Sequence, residues 1–166
     1  MNKSFEKINK AMLQMIIDDS NNKCRFLWAR IKDDNGVLYK SCTDGYVAYI
    51  LPETECCINF PVKNEKDEEP YKKLFAYVPF DARQIKTYEV VTVLQQGTQK
   101  LIKAYRTYED NIYINLDLLK GFGNEYTLFE TEKKYLYAVK FNGNICGYVM
   151  GFRSERSGEH DGISNI

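Results

Sequence analysis

The chain has 166 residues, and 23 basic against 23 acidic side chains leave its formal net charge at zero, so no global field draws it onto nucleic acid or an anionic membrane. Its 44% hydrophobic and 28% charged residues are those of a globular protein, long enough for one well-buried domain and too short for two large ones. The 13 Tyr and 9 Phe suit pleated, half-buried surfaces and point to a β-rich protein.

From Ser4 to Ile17 the apolar residues Phe5, Ile8, Met12, Leu13, Met15 and Ile16 recur at helical spacing, with Ser4 placed as the N-cap. Lys3, Lys7, Lys10 and Gln14 form a short cationic stripe on the other side, which on composition alone is an ordinary solvated face. Cys24 to Lys32 reads as a strand, Asp33 to Gly36 supplies Asn-Gly turn chemistry, and Val37 to Cys42 is the return strand. Thr43-Asp44-Gly45 is a second tight turn into Tyr46 to Leu51, where Gly45 can take positive φ and Asp44 can accept backbone N–H groups. Glu55 to Val62 is expected to add a fourth strand, with Pro52 and Pro61 at its margins.

Asn64 to Pro70 is a charged loop, Tyr71 to Val78 fits either a strand or a helix, and Phe80 to Thr87 fits a short helix after Pro79. Tyr88 to Leu94 and Gln99 to Tyr108 form a hairpin around Gln96-Gly97-Thr98. Ile112 to Asn115 is a short strand feeding a brief helix, Leu116 to Phe122, stopped by Gly121 and Gly123. Three strands follow, Glu125 to Glu130, Lys134 to Phe141 and Asn144 to Phe152, the last two joined by Asn142-Gly143. Ser154 to Ile166, with the sole His, His160, has no apolar periodicity and is expected to be a disordered tail.

Both ends therefore read as a helix followed by three strands. The fold class expected is α+β, a single domain over 1–153 made of two helix-plus-antiparallel-sheet halves of βαβββ type, approximately 1–62 and 88–153.

Enzyme chemistry has little purchase on these residues. Cys24, Cys42, Cys56, Cys57 and Cys146 lack zinc spacing and an even disulfide framework, and read as reduced thiols of a cytoplasmic protein. Gly121-Phe-Gly123 lacks the rest of a dinucleotide fingerprint, and no Ser or Cys sits in a nucleophile elbow. Catalytic residues, metal and cofactor are each expected to be none, although a spatial pair of carboxylates is invisible to sequence. Lys3, Glu6, Lys7, Asn9 and Lys10 interrupt the N-terminal apolar residues, so neither a signal peptide nor a membrane span is expected.

Two segments resemble a known family. Gly36-Val-Leu-Tyr-Lys-Ser-Cys-Thr-Asp-Gly-Tyr-Val-Ala-Tyr49 is similar to the strand, Thr-Asp-Gly, strand signature of DNA sliding clamps. Ile112 to Phe122 resembles the strand-and-helix entry of a clamp half-domain, and Gly147 to Arg153 resembles the terminal Met-Pro-Met-Arg strand of bacterial clamps, with Gly151 in place of Pro and Phe152 in place of Met. The resemblance covers less than half of the chain. It implies a DNA-clamp-like fold, DNA or replication proteins as partners, and helices that face the DNA backbone, where Lys3, Lys7 and Lys10 would be the contacts. It also implies a pocket for a hydrophobic partner at Met150 and Phe152. The function expected is non-enzymatic binding, as a replication accessory or mobile-element factor. The alternatives are a small regulator or inhibitor of a host protein, and an enzyme with a carboxylate site.

Overall fold

The computed structural model describes residues 2–60, 78, 81–86 and 88–154. The charged loop at 64–70, residues 71–77 of the ambiguous segment and the tail from 155 onward lie outside them.

Helix α1 (Lys3–Ser20) buries Ile8, Met12 and Met15 on one stripe, as their three- and four-residue spacing requires. Asn2, rather than Ser4, is its N-cap: the Asn2 Oδ1 accepts the Ser4 N–H at 3.0 Å, and Ser4 itself is buried. Both residue types cap well, and the helix starts two residues earlier than the apolar pattern does.

Strands β1 (Leu27–Lys32), β2 (Leu38–Thr43) and β3 (Val47–Pro52) form an antiparallel meander on the two turns the sequence announces. The expected fourth strand over Glu55–Val62 does not form within the described residues: Glu53–Glu55 is a 3-10 turn, and 56–60 runs on without a ladder partner. Its alternation is nonetheless used. Cys56, Ile58 and Phe60 pack on the main core, and Phe60 stacks on Trp28 at 5.0 Å. Buried Asn9 fastens this segment to α1, donating from Nδ2 to the Phe5 and Glu55 carbonyls and accepting the Cys57 N–H.

The short helix expected over Phe80–Thr87 is also corrected. Gln84–Ile85 is a two-residue strand, β4, paired with β8 (Thr127–Glu130). Its placement rests on distant partners: Arg83 makes a bidentate ion pair with Glu130 and stacks at 4.0 Å on the Tyr108 ring. The hairpin β5 (Val90–Gln95) and β6 (Lys100–Arg106), then β7 (Ile112–Asn115), α2 (Leu116–Leu119) with a 3-10 turn over Lys120–Phe122, β9 (Leu136–Phe141) and β10 (Asn144–Arg153) complete the order.

All ladders among the described residues are antiparallel. The continuous path is β1-β2-β3-β10-β9-β8-β4, and β7-β6-β5 joins at the last three residues of β10. Ser154, the first residue of the expected tail, is buried and bridges to Gln95. No helix among the described residues is long and apolar enough to cross a membrane.

The period-two rule divides the sheet's two faces. Val47, Tyr49, Leu51, Tyr137, Val139 and Val149 face both helices in the main core, while Ala48, Ile50, Ala138 and Tyr148 form a second cluster on the opposite face. A bulge between Ile145 and Gly147 inserts Cys146, which therefore also enters the main core.

Burial pushes the Cys146 thiol up to about 12 from its usual value near 9. The folded state thus holds the thiol neutral at pH values where the unfolded chain ionises it. Its stability is unaffected below pH ~9, then falls by about 1.4 kcal/mol per pH unit until the folded value is reached. Urea midpoints are expected to drop between pH 8.5 and pH 10.5, and Cys146→Ala to flatten that limb by one thiol's share. A limb unchanged by the substitution would show that Cys146 ionises freely in the folded protein.

Candidate functional site

The Thr43-Asp44-Gly45 turn is held by its own side chains. Thr43 Oγ1 donates to the Val47 carbonyl at 2.7 Å and accepts the Gly45 N–H, while Asp44 Oδ1 accepts the N–H groups of Tyr46 and Val47 at 2.9 and 3.0 Å. Gly45 takes φ +96°, the left-handed region in which a side chain would strain the turn. The result is a rigid ledge that carries Tyr46 outward, 66% exposed.

Beside that ledge lies a groove of about 360 Å³. Tyr46, Leu118, Met150 and Phe152 give it apolar walls, with Asn115 and Gln95 at its polar margin. β3 and β10 are locked together here, since the Met150 N–H donates to the Tyr46 carbonyl at 2.8 Å. α2 supplies Leu118 because Asn115 caps it, accepting the Asp117 N–H at 2.9 Å. Met150 and Phe152 thus line one cavity. Met150 presents its side chain to solvent, whereas Phe152 is partly committed to a small core with Val93, Ala104 and Tyr113.

Tyr46 and Leu118 belong to this surface as much as the two β10 residues do, and nothing in the sequence around Leu118 sets it apart. The only available signal was the conflict at Tyr46, a large aromatic directly after a tight turn. Exposed apolar side chains that converge on a concavity mark an interaction site far better than scattered ones.

A second, smaller cleft of about 250 Å³ shares Leu118 with the groove and lies across the turn from it. Asp18 of α1, Asp44 of the turn and Asp117 of α2 line it, together with Lys120, which is ion-paired with Asp117 at 2.5 Å. The Cys24 thiol at its wall is raised first by burial and then by Asp44, Asp18 and Asp19.

Lys3, Lys7 and Lys10 share the exposed side of α1. Lys10 is paired with Glu6 at 2.9 Å, and that contact holds the Glu6 carboxyl below its usual range. The Lys7 stem runs close to Gly123. The α1 residues that reach the second cleft are Ala11, Gln14, Met15 and Asp18, so the structure does not bring the lysines into the site that holds Met150.

Carboxylates do converge elsewhere, around a cavity of about 370 Å³ lined by Glu109, Glu130 and Glu132 with Lys133 and Lys134. Glu130 is already engaged by Arg83. Among the described residues no group of three or more His, Cys, Asp or Glu is arranged to hold a metal ion.

Comparison with protein-family models, with curated proteins and with solved structures found no match to this chain.

Proposed function

We propose that this protein is a non-enzymatic binding protein of clamp-like design, and that its working surface is the groove between Tyr46 and Met150. Support for two related halves comes from the strand order: β1-β2-β3 and β8-β9-β10 are each preceded by a helix, and they meet through their last strands. Both helices lie on the same face of the sheet, with Ile8, Met12, Leu119 and Phe122 in one core. On the sliding-clamp resemblance the partner class would be replication proteins, or a host protein engaged by a mobile-element factor.

The observation that carries the proposal is the concave apolar patch itself, in which Tyr46 and Met150 are exposed beside Leu118 and Phe152. Partners anchor on such patches by burying one or two apolar side chains. DNA encirclement has weaker support, because the lysine stripe on α1 includes the Glu6–Lys10 pair and the chain carries no net positive charge.

A random dodecapeptide display library selected against the purified protein tests this. Selected peptides are expected to bind wild type and to lose at least tenfold in affinity against Met150→Lys, which puts a charge in the groove without touching the core. Binding unaffected by Met150→Lys, or a duplex-DNA complex at low salt abolished by charge reversal at Lys3, Lys7 and Lys10, would overturn it.

A further inference from the structure

We propose, resting on the groove reading above, that the occupant is an extended partner segment that sets an apolar side chain between Tyr46 and Met150 and a Lys or Arg, a few residues away, in the cleft lined by Asp18, Asp44 and Asp117. The two cavities are one recognition surface. They share Leu118, and each is walled by the same two elements: the turn gives Asp44 to one and Tyr46 to the other, and α2 with its cap gives Asp117 to one and Asn115 to the other.

The chemistry of the occupant follows from the contrast between them. The first cavity presents Tyr46, Leu118, Met150 and Phe152, which reward burial of an apolar side chain. The second presents three carboxylates from three separate elements against a single ammonium, that of Lys120, which is already held by Asp117. Asp44 has its Oδ1 committed to the turn N–H groups, and the Asp18 carboxylate accepts from the exposed Gln14 side chain at 3.0 Å. A cation arriving beside Leu118 is therefore attracted from three directions, whereas an acidic or phosphorylated segment is repelled. An extended segment suits the site because two depressions that adjoin at Leu118 can take two side chains projecting from one strand-like backbone.

The test uses the full chain and two synthetic peptides made from the strongest display isolate, one as selected and one with its basic residue changed to Gln. Fluorescence anisotropy against wild type, Asp18→Lys and Met150→Lys supplies the readout. Asp18→Lys lies near the C-terminal end of α1, where a cation suits the helix dipole, so the fold is expected to tolerate it.

The expected result is that isolates pair an apolar residue with Lys or Arg at a fixed separation. The basic peptide loses at least fivefold on Asp18→Lys and weakens as salt is raised, while the Gln peptide shows neither effect. Isolates that depend on Met150 but show no basic residue, or an equal response of both peptides to Asp18→Lys, would overturn the two-cavity inference and leave the groove standing. Isolates indifferent to Met150→Lys, or no isolates at all, would overturn both.

Discussion

Gly147→Ala is expected to destabilise the protein by about 3 kcal/mol or more, at or beyond the upper end of ordinary overpacking. Gly147 lies in β10 opposite both Tyr49 of β3 and Val139 of β9, on the face that looks toward the helices. A methyl group there would collide with the Ala48 carbonyl oxygen and would stand 2.5 and 2.6 Å from two atoms of the Phe122 ring. Neither obstacle can yield cheaply. The carbonyl belongs to the central ladder, and Phe122 is 1% exposed and packed on Tyr49 with ring centroids 4.8 Å apart. Interiors this dense transmit strain rather than absorb it.

The measurement is a urea denaturation series at pH 7 on wild type, Gly147→Ala and Gly147→Ala with Phe122→Leu. The double variant is expected to recover part of the loss, because the smaller side chain frees space over β10 even as it gives up ring burial. A single variant within about 0.5 kcal/mol of wild type, the range of neutral surface changes, would mean that β10 does not pass beneath Phe122 as described.

Much of this architecture was legible because the relevant signals are local. The stripe Ile8, Met12, Met15 has helical period, and the turns at Asn35-Gly36, Thr43-Asp44-Gly45 and Asn142-Gly143 separate alternating runs that do pair as hairpins. Positive φ at Gly36, Gly45, Asn142 and Gly143 is what those residue types supply.

The misreadings have a common physical cause. Alternation reports that one face of a segment is buried, and says nothing of whether the backbone has a ladder partner. Cys56, Ile58 and Phe60 are partly buried against the main core, and their segment is held through Asn9 and through the Lys40 ammonium, which donates to the Ile58 carbonyl at 3.1 Å. Gln84–Ile85 became a strand for the opposite reason: the open edge of β8 recruits it with help from Arg83 and Glu130, 47 residues apart.

The candidate site was half legible on the same logic. Met150 and Phe152 stood out through the terminal strand, whereas Tyr46 and Leu118 matter because the turn before β3 and α2 meet β10, and Asp18 because α1 meets that same turn and α2. No window along the chain contains that meeting.

Gly121→Ala is expected to expose the coupling between core and groove, with a stability loss of about 1–3 kcal/mol and a loss of groove affinity that outlasts correction for unfolded protein. Gly121 follows α2 and is pressed between two elements: a methyl group there would strike the Tyr49 hydroxyl of β3 and stand 2.7 Å from the Ala11 Cβ of α1. Relief requires the turn after α2 to lift from the sheet. Leu118 and Asp117 sit three and four residues earlier on the same short element, so lifting it carries away one wall of each cavity.

Two measurements separate this from general damage. Peptide affinity is taken at a temperature where Gly121→Ala is more than nine-tenths folded, and stability is taken as a double-mutant cycle with Tyr49→Phe. If the hydroxyl is the obstacle, Tyr49→Phe costs less in the Gly121→Ala background than in wild type, with a coupling of at least about 0.5 kcal/mol. Additive losses would show that Tyr49 does not set the height of α2, and unchanged affinity in folded Gly121→Ala would show that the groove keeps its shape without the close approach of α1, β3 and the α2 turn.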